Sequence, residues 1–156
     1  MFIITSICIV VLIVLYLHGK KQAINNLPKD KQILFTVRLD NISLIENDSV
    51  GDDWKFEADI NGIKVKQDES VQVLVNPTDK LNFNVKAEEL DKIPDVGTNN
   101  TSKDVTQLNL SEKNLYSTEV TVKENKGRYI GNTAKWKFDW IISRKINLSD
   151  VVRNIF

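Results

Sequence analysis

Two short stretches of this 156-residue chain concentrate groups able to do chemistry. Asp48, Asp52 and Asp53 stand in ENDSVGDD, residues 46–53. Glu88, Glu89, Asp91 and Asp95 stand in EELDKIPD, residues 88–95. Calcium takes about six to eight oxygen ligands, several of them carboxylates. Acidic loops that converge can supply such a set, which makes calcium the candidate cofactor. The plainer alternative is that carboxylates are ordinary on solvated loops, and no EF-hand spacing is present. A third stretch, ENKGRYIGN at 124–132, holds Gly127 and Gly131, which tolerate positive φ and so permit a tight, shaped loop. Such a loop displays Arg128 and Tyr129 as an interaction surface. Folded back, Arg128 would neutralise Asp52 or Asp95 in place of a metal. The competing reading is a well-formed hairpin with Tyr129 packed on the domain.

Other chemistry is missing. The only histidine is His18 and the only cysteine is Cys8, both outside the region that alternates. A Ser-His-Asp or Cys-His arrangement and a zinc site are therefore not expected in the domain. There is no phosphate-cradling glycine loop between a strand and a helix. The paired carboxylates sit on loops with no sign of a substrate cleft. No enzyme activity and no small-molecule substrate are expected. Lysine plus arginine equals aspartate plus glutamate, 21 each, so no basic face for nucleic acid is expected.

The elements that must carry these loops are strands. From Ile33 onward apolar residues recur with period two: Trp54, Phe56, Ala58 and Ile60; Val71, Val73 and Val75; Leu81, Phe83, Val85 and Ala87; Trp136, Phe138, Trp140 and Ile142. One apolar and one polar face mark antiparallel strands packed on one side. The expected class is all-β, an eight-stranded antiparallel β-sandwich with strands at 33–45, 54–60, 63–66, 70–75, 80–87, 105–110, 116–123 and 134–145. A change of phase near Asn41 predicts a β-bulge. Asn61-Gly62 predicts a tight hairpin, and Asn76 to Asp79 a β-turn. In an up-and-down course, parity puts loops 46–53, 67–69, 88–104 and 124–133 at one end. The chain enters at the other.

The N-terminus is of another kind. Phe2 to Leu17 is apolar apart from Thr5, Ser6 and Tyr16, about 24 Å as a helix. No Lys or Arg precedes it, and Leu15-Tyr16-Leu17 is a poor cleavage site, so an uncleaved transmembrane anchor is expected at 1–18. Residues 19–32 read as a flexible linker and 33–156 as the β-sandwich domain. The expected localisation is a membrane, crossed once. Lys20, Lys21, Lys29 and Lys31 follow the segment and favour a cytoplasmic domain. At the other terminus, Ser149 or Asp150 caps a predicted short helix bearing Val151, Val152, Ile155 and Phe156. That helix covers an open end of the sandwich or docks on another chain or the bilayer.

The stretch LNFNVKAEELDKIPDVG, Leu81 to Gly97, resembles the calcium- and lipid-binding β-sandwich domains of the C-two type. In that family a strand runs into an acidic loop closing with Asp, an apolar residue and Gly, as in Asp95-Val96-Gly97. SVGDDWKFEADINGIKVK resembles the family's earlier acidic loop, strand and hairpin. The resemblance covers roughly Ile33 to Arg144. It implies metal ligands at Asp52, Asp53, Glu88, Asp91 and Asp95, although Glu88 and Glu89 stand where the family has aspartate.

These observations lead to an expected function: a membrane-anchored binding or interaction module without catalysis, with the membrane and a protein as partners. The alternatives are a calcium-dependent lipid-binding domain and a structural subunit of an envelope complex.

Overall fold

The computed structural model describes residues 2–25, 32–91, 93–145 and Val152. A helix, α1 (Phe2–Asn25), precedes eight strands. They are β1 (Ile33–Asn47), β2 (Trp54–Ile60), β3 (Ile63–Lys64), β4 (Ser70–Val75), β5 (Lys80–Glu89), β6 (Asp95–Asp104), β7 (Asn114–Lys123) and β8 (Thr133–Arg144), with a 3-10 turn at Val105–Gln107 after β6. They form two antiparallel four-stranded sheets in the orders β4-β1-β8-β7 and β3-β2-β5-β6. The all-β sandwich is therefore as expected.

The period-two pattern is what packs it. Ile33, Phe35, Val37 and Leu39 alternate with half-buried neighbours along β1. They meet Phe83, Leu81 and Ile60 of the facing sheet in one core, with Trp140, Phe138 and Ile142 of β8. Phe83 contacts Trp140 edge-on, with ring centroids 5.1 Å apart. Each such large side chain, fully buried, contributes about 1.5–3 kcal/mol. The buried Trp140 indole donates to the Thr118 hydroxyl at 3.1 Å, so its N–H is not left unpaired.

The bulge expected near Asn41 is a register shift between Leu39 and Asn41 against β8, and a second follows between Leu44 and Glu46. The hairpin at Asn61-Gly62 has positive φ at both residues, 49° and 80°, the geometry that suits the twist of two paired strands. At the next turn Asp79 accepts from the backbone and the amide of Asn76.

The sixth strand corrects the sequence reading. It runs over 95–104, not 105–110, and the long acidic loop 88–104 shrinks to a turn at 90–94. The side chains of β6 that alternate inward are Asp95, Gly97, Asn99 and Thr101, so no apolar period marks the strand. Ten consecutive pairs to β5 define it instead. Gly97 lets the backbone pass against β7, because a Cβ there would strike the Thr121 carbonyl. β3 is also shorter than the predicted 63–66.

α1 extends to Asn25, into the stretch expected as a linker. Lys20, Lys21, Gln22 and Ala23 are good helix formers, with no breaker among them. Side chains are described for Ile9 to Gly19 and for Lys21, and those from Ile9 to Leu17 are exposed. Among the described residues no helix is long and apolar enough to cross a membrane. The structure thus shows a helix and does not itself show a membrane crossing. The expected C-terminal helix lies outside the described residues, except Val152, which is helical and exposed.

Candidate functional site

Strand direction decides which loops meet. β1 ends, β5 ends and β7 ends at one pole of the sandwich, where loops 48–53, 90–94 and 124–132 follow. The loops are tied together there. Asp48 N donates to Thr133 O at 2.9 Å, and Leu90 N to Asp53 O at 2.8 Å. The backbone N and side-chain amide of Asn125 both donate to Asp95 Oδ1, at 3.2 and 2.9 Å. The chain enters and leaves at the opposite pole, where Lys145 N donates to Leu34 O.

Loop 48–53 is shaped by its own side chain. Asn47 accepts from Val50 N at 2.8 Å and donates to Gly51 O, while Val50 is driven inside. Gly51 has φ +75° and lies against the Glu89 carboxyl, where any Cβ would collide with it. The left-handed backbone favours glycine here, and a side chain would make the Glu89 carboxyl shift.

The five residues expected to hold calcium are not gathered. Asp52 and Asp53 are exposed in loop 48–53. Glu88 points to the outer face of its sheet, where it pairs with Lys86 at 2.7 Å and, more distantly, with Lys55. Asp91 folds onto its own turn and accepts from Ile93 N. Asp95 points inward and is occupied by Asn125. β5 alternates, so Glu88 and its neighbour Glu89 lie on opposite faces of the sheet. Among the described residues no three His, Cys, Asp or Glu side chains are placed to hold a metal ion together. As they stand, these residues do not fit a calcium site.

The structure brings together a different acidic set. Glu89 and Asp95 are directly opposed across β5 and β6, and they are only 5% and 4% exposed. Burial pushes the Glu89 carboxyl above its ordinary range. Asp91, Glu124 and Asp95 push it further, against the hydrogen bond from Asp91 N. Glu124 is also raised, first by burial and then by Asp95 and Asp91. The sequence signal for this pair is cross-strand register, which cannot be read until the turn at 90–94 is located.

Arg128 does not reach back to Asp52 or Asp95. Its guanidinium lies over the Tyr129 ring, 5.7 Å from the centroid. Tyr129 is 49% exposed, so it is not packed on the sandwich. Ile130 beside it is exposed, as are Leu90, Ile93 and Val96 in and after the neighbouring turn. The Asn125–Asp95 contact ties loop 124–132 to the start of β6, so both groups of apolar side chains belong to the same pole.

No family model matches the chain, and no curated protein matches it.

Proposed function

We propose that this chain is a membrane-tethered β-sandwich interaction module, without catalytic chemistry, that binds a protein partner through loops 90–94 and 124–132. One observation carries the reading. Leu90, Ile93, Val96, Tyr129 and Ile130 are exposed at the pole opposite the one where the chain enters and leaves. Large apolar side chains left exposed on neighbouring loops at one pole point to a binding surface, and an aromatic beside an arginine is typical of an interface anchor. The tether is residues 2–17. Their apolar side chains have no polar stripe, and those described are exposed to the surroundings. Because no described helix is long and apolar enough to cross by itself, the tether requires flanking lysines to reach the headgroups and the bilayer to thin around the run. Lys20, Lys21, Lys29 and Lys31 favour the cytoplasmic side for the domain.

The test is photo-cross-linking from position 129 of the full chain in its native membranes. A discrete protein adduct that disappears in Ile130→Asp supports the module. Absence of any adduct from 129, 130 and 93 removes it. Calcium-dependent lipid binding, implied by the C-two resemblance, requires the scattered carboxylates to regroup on an ion. A rise in melting temperature with calcium near ~1 mM, lost in Asp95→Asn, would favour that reading instead.

A further inference from the structure

A two-sheet sandwich exposes four terminal edges, here those of β4, β7, β3 and β6, and each is a place where another chain can add a strand. Three of them are closed. β3 has only two residues. β6 and β7 lie against each other: Asn99 Nδ2 donates to Glu119 O at 2.6 Å, and Gly97 abuts the Thr121 backbone. β4 has no such protection. Its six residues, SVQVLV, contain no charge and no proline. They pair with β1 in unbroken register from Ser70↔Arg38 to Val75↔Ile33. Among the described residues the outer edge of β4 takes part in no backbone hydrogen bond. Its solvent-facing row is Ser70, Gln72 and Leu74, and Leu74 is 56% exposed. Two half-open edges remain: the distal part of β1, guarded by two register shifts and by Asp40 and Glu46, and the start of β2, which β3 does not reach and which carries Lys55 and Glu57.

We propose that β4 is a self-association edge, on which a second copy of this chain lays its own β4 antiparallel and continues the sheet across a two-fold axis. The neutral row favours a copy as the occupant. A dyad at Gln72 sets Gln72 against its mate and Ser70 against Leu74, with no like charges opposed. An isologous two-fold contact is also the commonest closed assembly. The position of β4 supports the same conclusion. Val75 opposes Ile33, so the edge lies beside the point where the chain enters the sandwich. With strand rise near 3.3 Å and spacing near 4.8 Å, the two Ile33 residues sit about 25 Å apart. Seven peptide steps join Asn25 to Gln32, a reach of about 25 Å each, so both helices can enter one bilayer. This last point rests on the tether proposed above. Confinement to one membrane raises the effective concentration of the edges.

The test uses the full chain with Cys8→Ser, in membranes and after extraction. Gln72→Cys is expected to form an intermolecular disulfide under mild oxidation, whereas Leu44→Cys, on the bulged β1 edge, is not. Leu74→Lys with Gln72→Lys is expected to weaken self-association about tenfold in light scattering. Both positions face solvent, so the thermal melt stays unchanged at concentrations where the chain is monomeric, and the concentration dependence of the melt is lost with the dimer. A chain that is monomeric at every concentration tested overturns the proposal, as does a dimer that survives both lysines. Alkaline extraction tests the tether separately. A chain that washes off the membrane removes the tether while the dimer is still measured in solution.

Discussion

Glu89 and Asp95 face each other across the β5–β6 ladder, two carboxyl groups almost fully withdrawn from water with an asparagine as the donor to one of them. Each also serves one of the neighbouring loops. Glu89 fills the space that Gly51 leaves and accepts from Asp91 N. Asp95 receives Asn125 from loop 124–132. The candidate binding pole is therefore organised around buried acid, and its apolar rim sits on a charge-sensitive base.

A pH dependence follows, and its sign is fixed. The folded-state value of Glu89 is raised above the ordinary 4.5, chiefly by burial. Between those two values the folded chain holds more protons than the unfolded chain, so stability falls as pH rises. The stabilising contribution is complete below about 4.5 and is lost as pH climbs through the raised value. Thermal melts taken from pH 4.5 upward should show this decline, and Glu89→Gln should reduce its slope. Glu124 is raised in the same direction and leaves a remainder in that variant. An identical slope in Glu89→Gln would show that the pair does not govern the pole.

Most strands could be read from alternation because their inward residues are Val, Ile, Leu, Phe and Trp. Parity placed three of its four loops correctly at one pole and the chain entry at the other. The fourth, 67–69, lies beside Leu39 part-way along β1, because β3 is short and the chain crosses early to the other sheet. β6 escaped this reading because its inward positions are polar or glycine. Locating β6 is what moves Asp95 from a solvated loop to the interior, and it also turns Glu88 and Glu89 to opposite faces. A carboxylate's surroundings depend on a partner strand that a linear pattern does not name. The same limit applies to Arg128, whose nearest favourable surface was the ring next to it in sequence.

Gly97 tests the seam that closes β6 against β7. Its Cβ-less backbone touches the Thr121 carbonyl and the Val120 side chain. Gly97→Ala forces backbone to yield, not the tip of a flexible side chain, and should cost about 1–3 kcal/mol. Denaturant melts would measure this. Hydrogen exchange should rise in β6 and β7 before it rises in β1 and β4. A neutral Gly97→Ala would mean that the seam is looser than its geometry.

Asn125 tests the connection between the two halves of the candidate surface. Its side chain donates to a carboxylate that is nearly out of water, and the backbone bond from the same residue remains when the amide is removed. Asn125→Ala should therefore destabilise the fold by about 1–3 kcal/mol, the cost of leaving a buried acceptor short of a donor. Asn125→Asp should cost more at neutral pH, since it adds a carboxylate beside Asp95, Glu89 and Glu124, and less as pH is lowered. In Asn125→Ala, loop 124–132 is held to the start of β6 by the backbone bond alone, and its position relative to the turn at 90–94 loosens. Cross-linking from position 129 should fall in Asn125→Ala even at temperatures where the sandwich remains folded by circular dichroism. Undiminished cross-linking would place the binding surface on loop 124–132 alone and remove Leu90, Ile93 and Val96 from it.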